Sequence, residues 1–444
     1  MWKVYLRQIR RLLRENKFFS VVYIIGTALS ITMVMLILIT YHINTGNVGV
    51  EDKRDRMLYL TRSILVDAEW NASSGEDFYA GFRGSSPLSY KFMEKHMYPL
   101  RTPETKSIVG QAQSVFYNKN KQIYEEKGVT GTDANYWKIF SMRFLAGRPF
   151  TEAEVKSKAR KVVLDESTAR SFFGTTDVID YPVLIDWKEY RVCGVVEDVP
   201  TYLSDAYSHA WFPYTTGTDD LLYTVNYGGI EDAFGNMKMY ILAHDAADQD
   251  KIRREMEHQV QAVNAPSTQM KFYLNNQPYK ASEAFFASSD TPYEQIADKM
   301  VIVLVVIAVL LILPALNLSG LIVARMRKRG EEIAVRKAFG ASVWNIMGQL
   351  FWENFVQMLI GGALGLCLSF GLFQLFRETL LTSYFSMNRA LSVGDSDVLQ
   401  FFHVVNLSTI CYVIVICFLL NLLSTLVPAW RYARISIVDA LNKK

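Results

Sequence analysis

The residues whose types and spacing suggest chemistry lie between Arg325 and Glu353, and that chemistry is recognition, not catalysis. Arg325, Arg327, Lys328, Arg329, Arg336 and Lys337 stand against Glu331, Glu332 and Glu353. Gly330 and Gly340 bracket a short helical stretch in which Ile333, Ala334, Ala338 and Phe339 make a small apolar face. An apolar knob with both signs of charge on its rim is the pattern of a docking element. The apolar groups supply contact, and Glu331, Glu332, Arg336 and Lys337 set orientation. Positive charge alone would mark only one side of a membrane, which accounts for Arg325 to Arg329. It does not account for the Glu331-Glu332 pair or the stop at Gly340. After Ser342, an N-cap residue type, Val343, Trp344, Ile346, Met347, Leu350 and Phe351 repeat at helical spacing. That pattern predicts a helix lying along a membrane surface, anchored by Trp344 and Trp352.

Catalytic signals are missing. The six histidines are scattered, and the chain has no H-E-x-x-H, C-x-x-C or G-x-S-x-G. It also has no G-x-x-x-x-G-K-[ST] phosphate loop, so ATP is not held by that route. No catalytic, metal or cofactor residues are expected. Asn71-Ala72-Ser73 fits a glycosylation sequon, a pattern short enough to arise by chance.

The elements that position the charged stretch are apolar runs. Phe18 to Tyr41, Met300 to Ala324, Asn354 to Phe376 and Val398 to Trp430 contain no Asp, Glu, Lys or Arg. Each is long enough for a bilayer, which takes about 20 residues. The first exceeds the roughly 7–15 apolar residues of a cleaved leader, and reads as a retained helix. Basic residues crowd 1–17, the 325–353 stretch and 431–444, whereas 377–397 carries only Arg377 and Arg389 against three acids. This asymmetry puts both termini in the cytoplasm and 42–299 outside. Residues 1–17 alternate bases with Trp2, Tyr5, Leu6, Ile9, Leu12 and Leu13, which predicts an amphipathic helix on the inner leaflet of the lipid membrane. The absence of ionisable groups inside the runs disfavours a proton- or sodium-coupled carrier. A net charge of +3 gives no reason to expect nucleic acid as a partner.

In the third run, Gly361, Gly362 and Gly365 predict a helix-packing face, because small residues four apart let two helices approach closely. Pro314 marks a kink and Pro428 a stop.

The outer region mixes signals. Residues 57–66, 107–117, 161–165, 181–199 and 237–243 read as strands, the fourth as a hairpin about Asp186 to Glu189. Residues 134–140, 166–174 and 245–263 read as helices, and Asp67 to Pro87 as an exposed loop. The expected fold is therefore an α-helical membrane protein with four transmembrane helices and a large α+β extracytoplasmic domain between helices 1 and 2. Helical stalks are expected where Tyr41 to Asp55 continues the first run and Ser282 to Lys299 leads into the second. Cys193 is the one cysteine outside the runs, so the domain relies on its own core without an intrachain disulfide.

These residues carry a resemblance. Glu331-Glu332-Ile333-Ala334-Val335-Arg336-Lys337-Ala338-Phe339-Gly340-Ala341 is similar to the signature of the FtsX-like and MacB-like permeases of ABC transporters, the mechanotransmission class. Pro428-Ala429-Trp430-Arg431-Tyr432-Ala433 and Val438-Asp439-Ala440-Leu441 resemble that family's ending, with Ser436-Ile437 in place of its usual Asp-Pro. Residues 128–133, 144–150, 169–174 and 192–196 resemble its periplasmic core domain.

The resemblance implies a permease in the bacterial inner membrane, paired with a second permease copy or paralogue. It implies docking on a separate cytoplasmic ABC ATPase that carries ATP and Mg, with Glu331 to Gly340 as the coupling segment. A periplasmic adaptor and an outer-membrane channel are further expected partners. The implied function is mechanical: ATP hydrolysis drives a periplasmic conformational change that exports or extrudes a peptide, antibiotic or lipoprotein-like substrate. The alternative is transmembrane signalling, in which the outer domain activates a periplasmic enzyme or senses a peptide.

The implied layout is 1–17 cytoplasmic, 18–41 helix 1, 42–299 periplasmic domain with stalks and 300–324 helix 2. It continues with 325–353 as coupling segment and interfacial helix, 354–376 as helix 3, 377–397 as periplasmic loop, 398–430 as helix 4 and 431–444 as cytoplasmic tail.

Overall fold

The computed structural model describes residues 17–70, 78–118, 123–287, 295–309, 312, 339, 342–381, 411, 414, 415, 418 and 419. Two compact units divide them: one holds the chain up to Thr40 with Val301–Leu381 and the positions beyond, the other is Tyr41–Met300. The amphipathic segment before Lys17, the loop after Leu381, the sequon, Pro314 and Pro428 lie outside the described residues.

The first described element, α1 (Lys17–Thr45), is apolar enough to cross a membrane from Ser20 to Thr45. Its stop is local. Gly46 donates its N–H to the His42 carbonyl at 2.8 Å, and a Cβ there would stand 2.4 Å from His42 Nδ1. Asn47 then exchanges hydrogen bonds of 3.0 Å with Asp55, through side chain and backbone, which folds the chain back. The helical extension expected to reach Asp55 therefore ends at Thr45.

The second unit is α+β. Its strands are β1 (Met57–Leu60), β2 (Ser63–Asp67), β3 (Phe82–Ser86), β4 (Thr105–Asn118), β5 (Ile123–Thr132), β6 (Phe144–Gly147), β7 (Lys161–Asp165), β8 (Pro182–Ile185), β9 (Lys188–Val196), β10 (Ala210–Pro213), β11 (Thr224–Tyr227), β12 (Ile230–Gly235), β13 (Lys238–Leu242), β14 (Met270–Tyr273) and β15 (Tyr279–Lys280). Helices α2 (Tyr136–Ile139), α3 (Glu152–Lys156), α4 (Glu166–Phe173), α5 (Gln249–Asn264) and α6 (Ala281–Phe286) lie between them. The main sheet runs β15-β1-β13-β4-β5-β10-β7-β9-β6, and β8 pairs with both β4 and β9. That extra pairing closes β4, β5, β10, β7, β9 and β8 into a ring, which gives each of these strands a partner on both sides. β14-β2-β3 and β11-β12 form two smaller sheets.

Local chemistry explains the elements. On β4, Ala112, Ser114 and Phe116 face inward while Gln111, Gln113 and Val115 do not, the period-2 pattern of a half-buried strand. α4 begins where the Asp165 carboxylate accepts the Thr168 N–H at 3.0 Å and ends at Gly174, whose φ of 82° suits glycine. Thr151 and Glu154 form a reciprocal cap at the start of α3. α5 buries Gln249, Ile252, Met256 and Val260 along one stripe. The core is aromatic: Trp137 lies 5.3, 5.5 and 6.1 Å from the rings of Phe144, Phe150 and Trp211.

Three further expectations, in the second unit, need correction. The strand expected over 57–66 is two strands in different sheets, split at Thr61-Arg62. Gln277 holds the split by accepting the Thr61 N–H at 3.0 Å and donating to the Arg62 carbonyl at 2.9 Å. The stretch 67–87 is not all loop: β3 and a one-turn helix, Phe78–Gly81, fall inside it, because Phe82 packs on Ile64 and Val66. The helix expected from Ser282 to Lys299 breaks at Ala287, which is extended (φ −70°, ψ 140°), and 295–309 is helical again.

In the first unit, α7 (Val343–Leu381) is a single helix with an apolar span from Phe355 to Phe376. The expected change at Glu353, from a surface-lying helix to a span, is therefore no break in the helix, and the helix continues past Phe376. The described residues contain two helices long and apolar enough to cross a membrane. The second and fourth expected helices lie largely outside the described residues, apart from helical positions at 301–309, 312, 411, 414, 415, 418 and 419.

Candidate functional site

Two constructions in the described residues join elements through polar or close-packed contact. The first is the seam between α1 and α7. A Cβ on Gly361 would sit 3.0 Å from the Ile24 carbonyl and 3.0 Å from Thr27 Cβ. One on Gly365 would sit 2.7 Å from the Ala28 carbonyl and 3.0 Å from Ile31 Cβ. Gly362 is less constrained, with Ile31 Cδ1 at 3.5 Å. The missing side chains let backbones touch, and the touch is polar too: Thr32 Oγ1 lies 2.8 Å from the Ala28 carbonyl and 3.1 Å from that of Gly365. Above it, Gln357 Nε2 donates to Ser20 Oγ at 3.4 Å, both side chains buried. In hydrocarbon such interhelical bonds contribute about 0.6–2 kcal/mol each.

The second construction lies in the second unit, beneath the last turn of α1. That turn leaves carbonyls with no partner inside the helix. Arg54 fills the gap, donating to the Ile43 carbonyl and, at 3.4 Å, to that of Gly46. Its guanidinium is ion-paired with Glu51, and both residues are buried, at 3% and 0% exposed. Glu51 Oε1 also accepts the Ala206 N–H at 3.0 Å. Next along the chain, Asp205 accepts from Tyr240 Oη at 2.7 Å and lies 3.5 Å from Lys238 Nζ, both on β13. Lys238 donates to Gln111 Oε1 at 3.1 Å, and Gln111 Nε2 donates to the Ser204 carbonyl at 3.2 Å. Tyr136 Oη donates to the Ala206 carbonyl at 3.3 Å and accepts from Trp211 Nε1 at 3.2 Å.

The electrostatics follow the geometry. Burial pushes the Glu51 carboxyl up to about 6, with Arg54 pulling the other way. Burial opposes charge on Arg54, yet Glu51, Tyr59 and Asp205 outweigh it and hold the guanidinium above its ordinary value. Burial would likewise raise Asp205, but Lys238 and Arg54 leave it lowered. Among the described residues, no group of three or more His, Cys, Asp or Glu could hold a metal ion. The arrangement ties the end of α1 to β13, β4 and β10 through directional polar contacts.

Of the expected coupling residues, Phe339 is described, and it is 89% exposed. Glu331, Glu332, Ile333, Arg336, Lys337, Ala338 and Gly340 lie outside the described residues. Sequence reasoning missed Glu51 and Arg54 altogether. Their signal was opposite charges three apart just beyond an apolar run, which reads as ordinary flank until the fold buries both.

Comparison with known proteins supplies the rest. Residues 20–259 match the model of the MacB-like periplasmic core domain, and residues 304–437 match that of the FtsX-like permease C-terminal region. The chain belongs to the MacB- and FtsX-like family of ABC transporter permeases. A relative in Burkholderia cenocepacia (strain HI2424), named macrolide export ATP-binding/permease protein MacB, is 26% identical over 254 residues, covering 56% of this chain and 34% of that one. The protein of the same name in Chromobacterium violaceum is 22% identical over 391 residues, covering 86% and 52%. This permease-family chain thus spans about a third to a half of the length of these curated relatives. The periplasmic region of MacB from Actinobacillus actinomycetemcomitans matches at 15% identity over 48% of this chain and 88% of that structure, with a TM-score of 0.33.

Proposed function

We propose that this chain is a permease subunit that converts ATP hydrolysis by a separate cytoplasmic ATPase into movement of its outer α+β domain. ATP and Mg bind the ATPase, and this chain carries no cofactor. It sits in the bacterial inner membrane with both termini in the cytoplasm, paired with a second permease copy or paralogue. The movement drives export of a peptide, antibiotic or lipoprotein-like substrate, with a periplasmic adaptor and an outer-membrane channel as further partners.

The observation that supports this reading most is the succession of two family matches on one chain, the second of which contains the charged segment Arg325 to Gly340. Ile333 and Phe339 enter a groove on the ATPase, with Ala338 as part of the same apolar contact and Gly340 beside it, and Glu331, Glu332, Arg336 and Lys337 fix the orientation. The exposure of Phe339 agrees with a role as an unsatisfied apolar knob. A charge placed on the knob is costly to bury. Ile333→Asp with Phe339→Asp should therefore abolish co-purification with the ATPase and lower substrate efflux at least tenfold. An undiminished complex from the double variant sinks the docking assignment. Efflux unchanged in a strain lacking the chain, with loss only of a peptide-induced response, would assign the movement to signalling.

A further inference from the structure

We propose that the network built on the buried pair Arg54–Glu51 and reaching Ala206 and its half-buried neighbour Asp205 is a latch that makes the outer turn of α1 and the central sheet move as one body. The proposal deepens the functional reading above and rests on it, because a latch matters only if α1 is driven.

A helix that ends against a domain through apolar side chains alone can slide or rotate, since such contacts have no preferred direction. Here the end of α1 is gripped by its backbone. Arg54 donates to carbonyls on both sides of the helix stop, Ile43 and Gly46, so its grip resists both pulling and unwinding. Positive charge also suits the negative end of the helix dipole. Glu51 bridges from that guanidinium to the Ala206 N–H, and from there two routes enter the core. One runs from the Ala206 carbonyl through Tyr136 Oη to Trp211 on β10. The other runs from Asp205 to Tyr240 and Lys238 on β13, and through Lys238 to Gln111 on β4. β13 and β4 are neighbours in the main sheet, in register from Lys238↔Val109 to Leu242↔Thr105. Each link is a directional bond, and the pair at its centre is shielded from water.

Stability alone does not call for this construction. A buried ion pair is often no better than an apolar pair of similar volume, whereas removing one partner is strongly destabilising. A pair that adds little to stability but fixes geometry in every direction suits a joint that carries load.

The test uses the full chain in nanodiscs with its partner ATPase, and follows amide hydrogen exchange with and without ATP and Mg. In the unaltered protein, ATP should change protection both in residues 41–46 and in residues 203–206 and 238–242. In Glu51→Gln with Arg54→Met, the change at 41–46 should persist while that at 203–206 and 238–242 is lost. ATP turnover should be retained. Asp205→Asn is a milder cut that should reduce the change at 238–242 and spare that at 41–46; it decides the matter if the double variant fails to fold, judged by lost protection in 123–132. A change that still reaches 203–206 and 238–242 in the folded variants overturns the latch. No ATP-dependent change anywhere in the unaltered complex overturns the ATP-driven reading, and the latch with it.

Discussion

At the scale of single residues, two side chains show how burial sets chemistry in the outer domain. Cys193 on β9 is buried, and burial, with the nearby Glu154 charge, pushes its thiol up to about 12. At pH 8 roughly one part in ten thousand is thiolate. Peptide-resolved alkylation of the native chain should therefore leave Cys193 unmodified while denaturant exposes it; rapid native labelling would contradict the packing described. Glu154 shows the opposite shift. A hydrogen bond from Arg148 and those from Thr151 hold its carboxyl at about 2, against an ordinary value of 4.5. The folded state thus binds this proton more weakly than the unfolded chain. The stabilisation is whole above about pH 4.5 and is lost as pH falls through about 2. Glu154→Ala should cost about 1 kcal/mol at pH 7 by removing half of the α3 cap. The difference from the parent in urea unfolding should shrink steadily below pH 4; a gap that persists unchanged at pH 3 would show that another interaction dominates.

Between elements, the α1–α7 seam is the feature most open to a single substitution. Gly365→Leu must displace the Ala28 carbonyl or Ile31, since a Cβ alone would come within 2.7 Å of the former. Overpacking of this kind costs about 1–3 kcal/mol, and the Thr32 bond to Gly365 is lost as the helices part. Gly371 is the internal control on the same helix, because a Cβ there meets nothing within 4 Å. Gly365→Leu should lower the melting temperature of the detergent-solubilised chain, and Gly371→Ala should leave it unchanged or slightly raised. Equal effects of the two would remove the seam from the account.

For the whole molecule, the consequence to test is sidedness. In a background with Cys367, Cys411 and Cys417 replaced by serine, Lys156→Cys on α3 should react with a membrane-impermeant maleimide in intact cells whose outer membrane is permeabilised. Phe339→Cys, in a strain lacking the ATPase so that the proposed groove does not cover it, should react only after the inner membrane is opened. Both positions are exposed, so access is set by the bilayer and not by the fold. Labelling of Phe339→Cys from outside would invert the topology and remove the coupling role.

The amino-acid sequence alone determined the features that rest on local rules. The charge-free runs, the α+β mixture between them, β7, the α4 stop at Gly174 and the family resemblance were all legible from periodicity, capping residues and short motifs. Local rules did not reveal where chain segments meet. The polar strand β5, with its Glu125-Glu126-Lys127 run, exists because ten residues pair with β4. The break at Thr61-Arg62 is set by Gln277, far away in sequence. Glu51 and Arg54 look like solvent-facing charges beside an apolar run, and only tertiary packing places Ala206, Asp205 and the end of α1 around them. The contacts of Gln277 with Thr61 and of Glu51 with Ala206 join residues more than a hundred positions apart, and their free energy comes from burial that no local pattern encodes.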